Sequence, residues 1–319
     1  MKIIFFGMPE GIVCLNALIG QNKNIIALVP PAPTHSMHNL MVQVAEQNKI
    51  PVLFFQKSPK EKDFIESLKE IKPDIGIVCA FDHLLPKEIL EIPQLGFINY
   101  HPSLLPEYRG GNPYFHVILN DEKKTGVTIH YMDENFDTGD IIDQWETEIS
   151  SLETLGTLLY RLNAQAAQMI INLIEKFEKG ENIPRKPQVK TGNFKTSPVI
   201  YPEKGQISID WSKDSSYIER FTRACNPIFG ATTYFRNCMI KIWAGESLPD
   251  KNTKSLSESG TIVKVSDNSL EIATGNGLFC PTVIQIANFL VTDAKSFIKH
   301  TNPKTGEIFT EAQPFTYPL

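Results

Sequence analysis

The sequence predicts a doubly wound α/β domain with a mostly parallel sheet, followed by a second, small β-barrel domain. Three observations carry this. Short apolar runs rich in β-branched and aromatic residues recur through the first half, at 2–7 (KIIFFG), 24–30 (NIIALVP), 50–55 (IPVLFF), 74–80 (DIGIVCA) and 96–101 (GFINYH). Helix-like segments fall between them, and continuous apolar strands alternating with helices imply a parallel sheet covered on both faces. Beyond residue 205 the texture changes to several short strands separated by turn residues, which is the pattern of a small barrel or Greek-key domain. With 319 residues the chain is long enough for both.

The first run ends at Gly7, where such folds place a ligand crevice. The turn that follows reads GMPEG and lacks GxGxxG spacing, so a dinucleotide site is not supported. The start of the chain has the look of a secretory leader. Gly7, Pro9 and Glu10 interrupt it and no small-residue cleavage site follows, so it reads as a buried first strand. Helix-like segments span Met41–Asn48 and Pro59–Ile71, the latter with Ser58 as N-cap, Pro59 in its first turn and Glu61 completing a capping box. TGVTIHYM (125–132) alternates and reads as a strand returning beside 96–101. The longest helix runs from a Ser150/Glu153 capping box through Leu155, Leu158, Leu162, Ala166, Ile170 and Phe177 to Gly180. Residues 189–204, rich in Pro, Lys and Thr, read as a linker between a domain at 1–188 and a barrel domain at 205–319. In that barrel domain SSYIERFTRAC reads as a short helix, and ATTYF, MIKIWAG, GTIVKVSD and SLEIATGNG read as strands.

Charge and cysteine content exclude several classes. The net charge is −5, and residues 205–319, with 11 basic and 11 acidic side chains, contribute none of it. Neither half carries the basic excess that drives nucleic-acid binding through counterion release. No apolar stretch approaches the ~20 residues of a membrane span. Five scattered cysteines without a CxxC suggest reduced thiols in a cytoplasm, not a disulfide frame or a zinc site.

Candidate chemistry centres on Asn99, His101 and the acidic cluster MDENFDTGD at 132–140. Residues two apart on a strand face the same way. An amide N–H and an imidazole aimed at one point suit a carbonyl that gains negative charge, and a nearby carboxylate favours the imidazolium. The bland alternative is a satisfied histidine at a strand end. Ser103 as a nucleophile lacks a GxSxG elbow. A metal on His101 with Asp133 or Asp137 lacks an HExxH or a tight His/Cys cluster. Lys57, Lys60 and Lys62 read as a solvated helix start, and His35 and His38 as loop residues.

NYHPSLLPEYRGGNP (99–113) followed by TGVTIHYMDENFDTGDII (125–142) closely resembles the paired signature of the 10-formyltetrahydrofolate-dependent formyltransferases. The likeness extends upstream through residues 72–99. It continues downstream into ISIDWSKDSSYIERFTRACNPIFGATTYF and IKIWAG, which look like the C-terminal domain of the methionyl-tRNA formyltransferase branch.

The resemblance implies a Rossmann-like catalytic domain, an OB-like second domain and a catalytic trio of Asn99, His101 and Asp137. Direct attack of a primary amine on the formyl carbon of 10-formyltetrahydrofolate would pass through a tetrahedral oxyanion. Asn99 and protonated His101 would hold it, each worth about 3 kcal/mol if they behave as other oxyanion donors do. Asp137 would keep His101 protonated and help move the proton. The pterin side is implied at Phe81, Leu84, Leu85, Pro86, Ile89, Met132 and Asp133, where the LLP at 84–86 is equally what a helix entry needs. Arg109 and Gly110 retain the family's RG on the acceptor side. Ser103 either joins the network or stabilises a turn. No metal is implied.

Members that modify tRNA carry an Arg/Lys-rich insertion after the second strand. Here that position reads VPPAPTHSMHNLM (29–41), with no Lys or Arg. The expected acceptor is therefore a small amine such as an amino-sugar nucleotide, slightly ahead of methionyl-tRNA. Hydrolysis of the folate without an acceptor, and a non-catalytic binding module, are the further alternatives.

Overall fold

The computed structural model describes residues 1–30, 38–55, 61–81, 83–189, 192–248, 257–286 and 289–311. The chain divides into two compact units. One comprises Met1–Pro113, Lys124–Glu148 and Leu159–Thr196, the other Tyr114–Lys123, Ile149–Leu158 and Ser197–Leu319. From the N-terminus the elements are β1 (Ile3–Gly7), α1 (Ile12–Gly20), β2 (Ile25–Val29), α2 (His38–Gln47), α3 (Glu61–Ile71), β3 (Ile75–Cys79), α4 (Lys87–Leu90) and β4 (Phe97–His101). There follow α5 (Pro113–Leu119), β5 (Lys124–Tyr131), β6 (Ile141–Glu148) and α6 (Leu155–Glu178).

The first unit holds a six-stranded sheet in the order β2-β1-β3-β4-β5-β6. Strands β2, β1, β3 and β4 are parallel, while β5 and β6 run antiparallel at one edge. The doubly wound, mostly parallel sheet is therefore present. Its two faces are covered by different helices. On one face Ile4, Phe6, Ala27, Val29, Val78 and Phe97 of the strands pack against Phe64, Ile65 and Leu68 of α3 and Ile89 of α4. Phe6 is the hub, meeting Phe64, Phe81 and Phe97 edge-on with ring centroids 6.1, 5.3 and 5.4 Å away. On the other face Cys14 of α1 and Cys79 of β3 are buried, and Asn163 of α6 accepts from the Tyr100 hydroxyl at 2.8 Å. Asn163 also donates to the Glu10 carbonyl at 2.9 Å, so this polar pair is satisfied inside the core.

Three local expectations are revised. IPVLFF makes only an isolated bridge, Val52 to Leu28, because Pro51 has no N–H to extend a ladder and Phe55 turns into the core. Helix α6 starts one turn later than the sequence suggests. The reciprocal cap is Thr154 with Thr157: the Thr157 N–H donates to Thr154 Oγ1 at 3.3 Å, and the Thr154 N–H to Thr157 Oγ1 at 3.0 Å. Ser150 instead accepts from the Leu152 N–H in the preceding turn. Finally, α1 and the edge strand β6 are elements the sequence reading did not separate. The proposed Ser58 cap and Pro59, together with Lys57, Lys60 and His35, lie outside the described residues.

In the second unit α7 (Ser215–Cys225), β7 (Ala231–Phe235), β8 (Cys238–Leu248), β9 (Ile262–Val265), β10 (Leu270–Ala273) and β11 (Leu278–Ile286) are followed by β12 (Val291–Asp293), α8 (Ala294–Thr301) and β13 (Phe309–Thr310). The strand order is β13-β7-β8-β11-β10-β9, with β12 on β11. A bridge between Thr261 and Ile308, with the Phe309 N–H donating to the Gly260 carbonyl at 2.8 Å, brings the two ends of the sheet together into a small barrel. Trp211, Phe235, Phe279 and Phe309 fill it, and the Trp211 indole N–H is satisfied by Thr233 Oγ1 at 3.0 Å.

Candidate active site

Strand parity sets the site. Phe97, Asn99 and His101 point to one face of β4, and Phe97 belongs to the α3/α4 core, so Asn99 and His101 continue that face past the core's end. Across the ladder Asn99 pairs with His130 and His101 with Thr128. This is the carboxyl end of the parallel strands, where open α/β sheets place ligands.

The structure brings Asn99, His101 and Asp137 together. His101 Nδ1 lies 3.5 Å from Asp137 Oδ1, with the two side chains 5% and 11% exposed. His101 Nε2 sits 2.7 Å from the Tyr108 carbonyl. A carbonyl and a carboxylate only accept, so the two ring nitrogens face the partners that an imidazolium requires. The Asp137 contact is an ion-pair distance and the Tyr108 contact a short hydrogen bond. Asp137 Oδ2 also accepts from the Gly110 N–H at 3.1 Å. Asp133 is set apart. Its Oδ1 accepts from the Asn135 N–H at 3.0 Å and the Thr138 hydroxyl at 2.6 Å, so it folds the loop that carries Asp137.

Both loops around His101 are held in uncommon backbone conformations. Tyr108 and Asp137 have φ of 59° and 55°, in the left-handed region that side chains other than Gly, Asn and Asp rarely adopt. For Tyr108 such a conformation persists only where its surroundings enforce it, at a cost of about 1–3 kcal/mol, while Asp137 is of a type that tolerates it. The enforcement is visible. The Tyr108 N–H donates to the Lys195 carbonyl at 2.7 Å. The Asp137 carbonyl accepts from Arg109 Nε and from Gln188 Nε2, both at 3.0 Å, while Arg109 Nη2 donates to Gln188 Oε1 at 2.6 Å. Gly139 passes so close to the Tyr131 carbonyl that a Cβ would overlap it. Buried Ser103 donates to the Glu107 carbonyl at 2.6 Å, and Thr128 Oγ1 ties the Ser103 carbonyl and the Leu105 N–H, so the 103–108 loop is closed on itself.

The residues expected on the pterin side separate by burial. Leu85 and Ile89 lie wholly within the α3/α4 core, supporting the wall from behind. Phe81 and Met132 pack on the edge of that core and remain partly open, as do Leu84 and Pro86. Phe81, Leu84, Pro86 and Met132 thus offer partly open apolar surface of the kind a flat heteroaromatic ring needs. Two residues that the sequence reading did not single out join the site. His130 touches two members of the trio, with Nε2 3.2 Å from Asn99 Nδ2 and 3.8 Å from Asp137 Oδ1. Burial, the largest influence, pushes its imidazole below the usual range against the pull of Asp137. Gln188 clamps the Asp137 and Gly139 carbonyls. The alternation in TGVTIHYM puts His130 on the Thr128 face, and only the β4–β5 register shows that this face meets Asn99. Gln188 carries no local signal. Among the described residues no group of three His, Cys, Asp or Glu side chains is placed to hold a metal ion, and no helix is long and apolar enough to cross a membrane.

The chain is similar to known proteins over both of its units. The formyl transferase family profile matches residues 1–174, and the formyl transferase C-terminal domain profile matches residues 202–302. The methionyl-tRNA formyltransferase of Clostridioides difficile (strain 630) is 36% identical over 313 residues, spanning 96% of this chain and 99% of that protein. That of Clostridium novyi (strain NT) is 37% identical over 292 residues, spanning 89% and 92%. Among solved structures, the N-formyltransferase from Helicobacter canadensis in complex with folinic acid and dTDP-3-aminofucose superposes with a TM-score of 0.64 at 19% identity, over 90% of this chain and 98% of that one. HypX from Aquifex aeolicus in complex with tetrahydrofolic acid gives 0.62 at 16%, over 96% and 48%. These two show a shared fold. On the family matches across both units, and on relatives aligned over nearly the whole length, the chain belongs to the formyl transferase family and is a formyltransferase.

Proposed function

We propose that the chain transfers a formyl group from 10-formyltetrahydrofolate to a primary amine, with Asn99, His101 and Asp137 as the catalytic residues. The observation that carries this reading is the convergence of an amide, an imidazole facing two acceptors and a buried carboxylate at the end of β4. 10-Formyltetrahydrofolate supplies an activated formyl group. Phe81, Leu84, Pro86 and Met132 would hold its ring side, with Leu85, Ile89 and Asp133 behind them. Asn99 offers an amide N–H to the formyl oxygen as it gains charge, and the His101 cation stabilises the same oxygen. To reach that oxygen one His101 N–H must exchange a partner, and the 3.5 Å Asp137 contact is the weaker of its two. Asp137 then accepts the proton released by the attacking amine, directly or through water, and passes it to N10 as the C–N10 bond breaks, so that the formylated amine and tetrahydrofolate leave. Arg109 and Gln188 keep it in place.

For the acceptor we favour a small amine. The support is electrostatic: residues 29–41 contain no Lys or Arg, and residues 205–319 are neutral. Methionyl-tRNA is the second reading, favoured by relatives of that name aligned over almost the full chain. Assaying formyl transfer to a panel of amino-sugar nucleotides, free amino compounds and charged initiator tRNA decides between them. His101→Asn, assayed with the acceptor so found, abolishes transfer and leaves the circular dichroism spectrum unchanged. Near-normal turnover in that variant overturns the assignment.

A further inference from the structure

His130 occupies the centre of the site without being one of the trio. Its side chain is 2% exposed, and its two nitrogens have different partners. Nδ1 lies 2.8 Å from the Tyr131 carbonyl, which can only accept, so Nδ1 carries a proton. Nε2 lies 3.2 Å from Asn99 Nδ2, which can only donate, so Nε2 presents its lone pair. The contacts thus specify one neutral tautomer. We propose that His130 is a positioning residue for formyl transfer, whose Nε2 lone pair fixes the orientation of the Asn99 amide and so aims that amide's second N–H at the formyl oxygen.

The reasoning is one of symmetry. An asparagine amide has two orientations of similar shape that exchange N–H donors for a carbonyl acceptor. In the wrong one Oδ1 faces the formyl oxygen and repels the charge that grows there. A fixed acceptor beside Nδ2 removes the degeneracy before substrate arrives, which is the preorganisation that oxyanion stabilisation depends on. Protonation of Nε2 reverses this. A donor would then face a donor, the amide would turn over, and the new cation would compete with His101 for Asp137, 3.8 Å away. The charged and titratable groups acting on His130 are Asp137, His101 and, more weakly, Asp133. Burial outweighs the two carboxylates and keeps the ring neutral at pH 7. Activity is therefore lost on an acid limb below about 6.5, the ordinary histidine value.

This inference rests on the formyl-transfer reading, and the experiment separates the two. In the unmodified protein labelled with 15N-histidine, long-range 15N–1H correlations report the His130 tautomer without any turnover. Nδ1 is expected protonated and Nε2 bare at pH 7.5; an Nε2–H tautomer overturns the proposal whether or not formyl transfer is found. His130→Gln keeps an acceptor and His130→Phe keeps a ring without one. Phe is expected to lower kcat by 10- to 100-fold with little change in KM for the folate. Gln is expected to stay within about fivefold of the parent and to lack the part of the acid limb that belongs to His130. A Phe variant with parental kcat, or a Gln variant as impaired as Phe, overturns the proposal.

Discussion

Asp137 has four attachments, and a side-chain list would miss two of them because they are to its backbone. Its carbonyl is held by Arg109 and Gln188, its carboxylate by Gly110 and His101, and its φ of 55° is a consequence of that clamp. Removing the charge and removing the clamp should therefore separate kinetically. Asp137→Asn preserves shape and most contacts but removes the carboxylate to which the proposed mechanism gives the proton, and is expected to lower kcat by about 10²–10⁴-fold. Gln188→Ala leaves every trio side chain in place and frees the loop, so a smaller fall in kcat with a lower melting temperature is expected. Steady-state kinetics beside thermal melts check both, and a Gln188→Ala enzyme with parental kcat would remove the clamp from the account. Asn99→Ala, which deletes an N–H donor, is expected to cost about 10²–10³-fold in kcat. At this scale the grouping of Asn99, His101 and Asp137 was legible only through the family signature, because the spacing of Asn99 and His101 by itself equally suits a satisfied histidine at a strand end. His130 and Gln188 were not, since one depends on strand register and the other on a return of the chain about 50 residues later.

The elements show where local signals compete. Ser150 and Glu153 satisfy the spacing of a capping box, yet Thr154 and Thr157 form the reciprocal pair, and Glu153 instead accepts from the Thr157 hydroxyl at 2.9 Å. Two capping signals stood within one turn, and propensity alone does not rank them. Thr154→Ala is expected to destabilise by about 1 kcal/mol, the usual cost of losing such a cap. Ser150→Ala should cost less, because that hydroxyl serves only a 3.2 Å bond in the preceding turn. Urea denaturation of the two variants tests the order, and a larger loss for Ser150→Ala would restore the earlier start. The parallel strands were legible because burial on both faces writes a continuous apolar run. The same rule overreached at IPVLFF, where Phe54 is exposed and the run is a single bridge, and it missed β6, whose burial falls away toward its polar outer half.

For the molecule as a whole, the remaining question is what approaches the trio from the open side, and charge is the property that discriminates. A protein that neutralises Z phosphates loses affinity with a log–log salt slope of about −0.9Z on duplex and −0.7Z on single strands. A chain of net charge −5, with a neutral C-terminal third, lacks the basic excess that would supply many such contacts. Titrating initiator tRNA at 20, 50 and 150 mM salt is therefore expected to give weak binding with a shallow slope, and competition by non-cognate tRNA to equal effect. The identity of 36% to a methionyl-tRNA formyltransferase over 99% of its length argues the other way. That identity need not lie in charged or contact residues, because a shared fold constrains much of a chain without constraining its acceptor. Micromolar binding with a steep salt slope, selective for charged initiator tRNA, would make tRNA the acceptor and show that a local arrangement of Lys and Arg outweighs the net field.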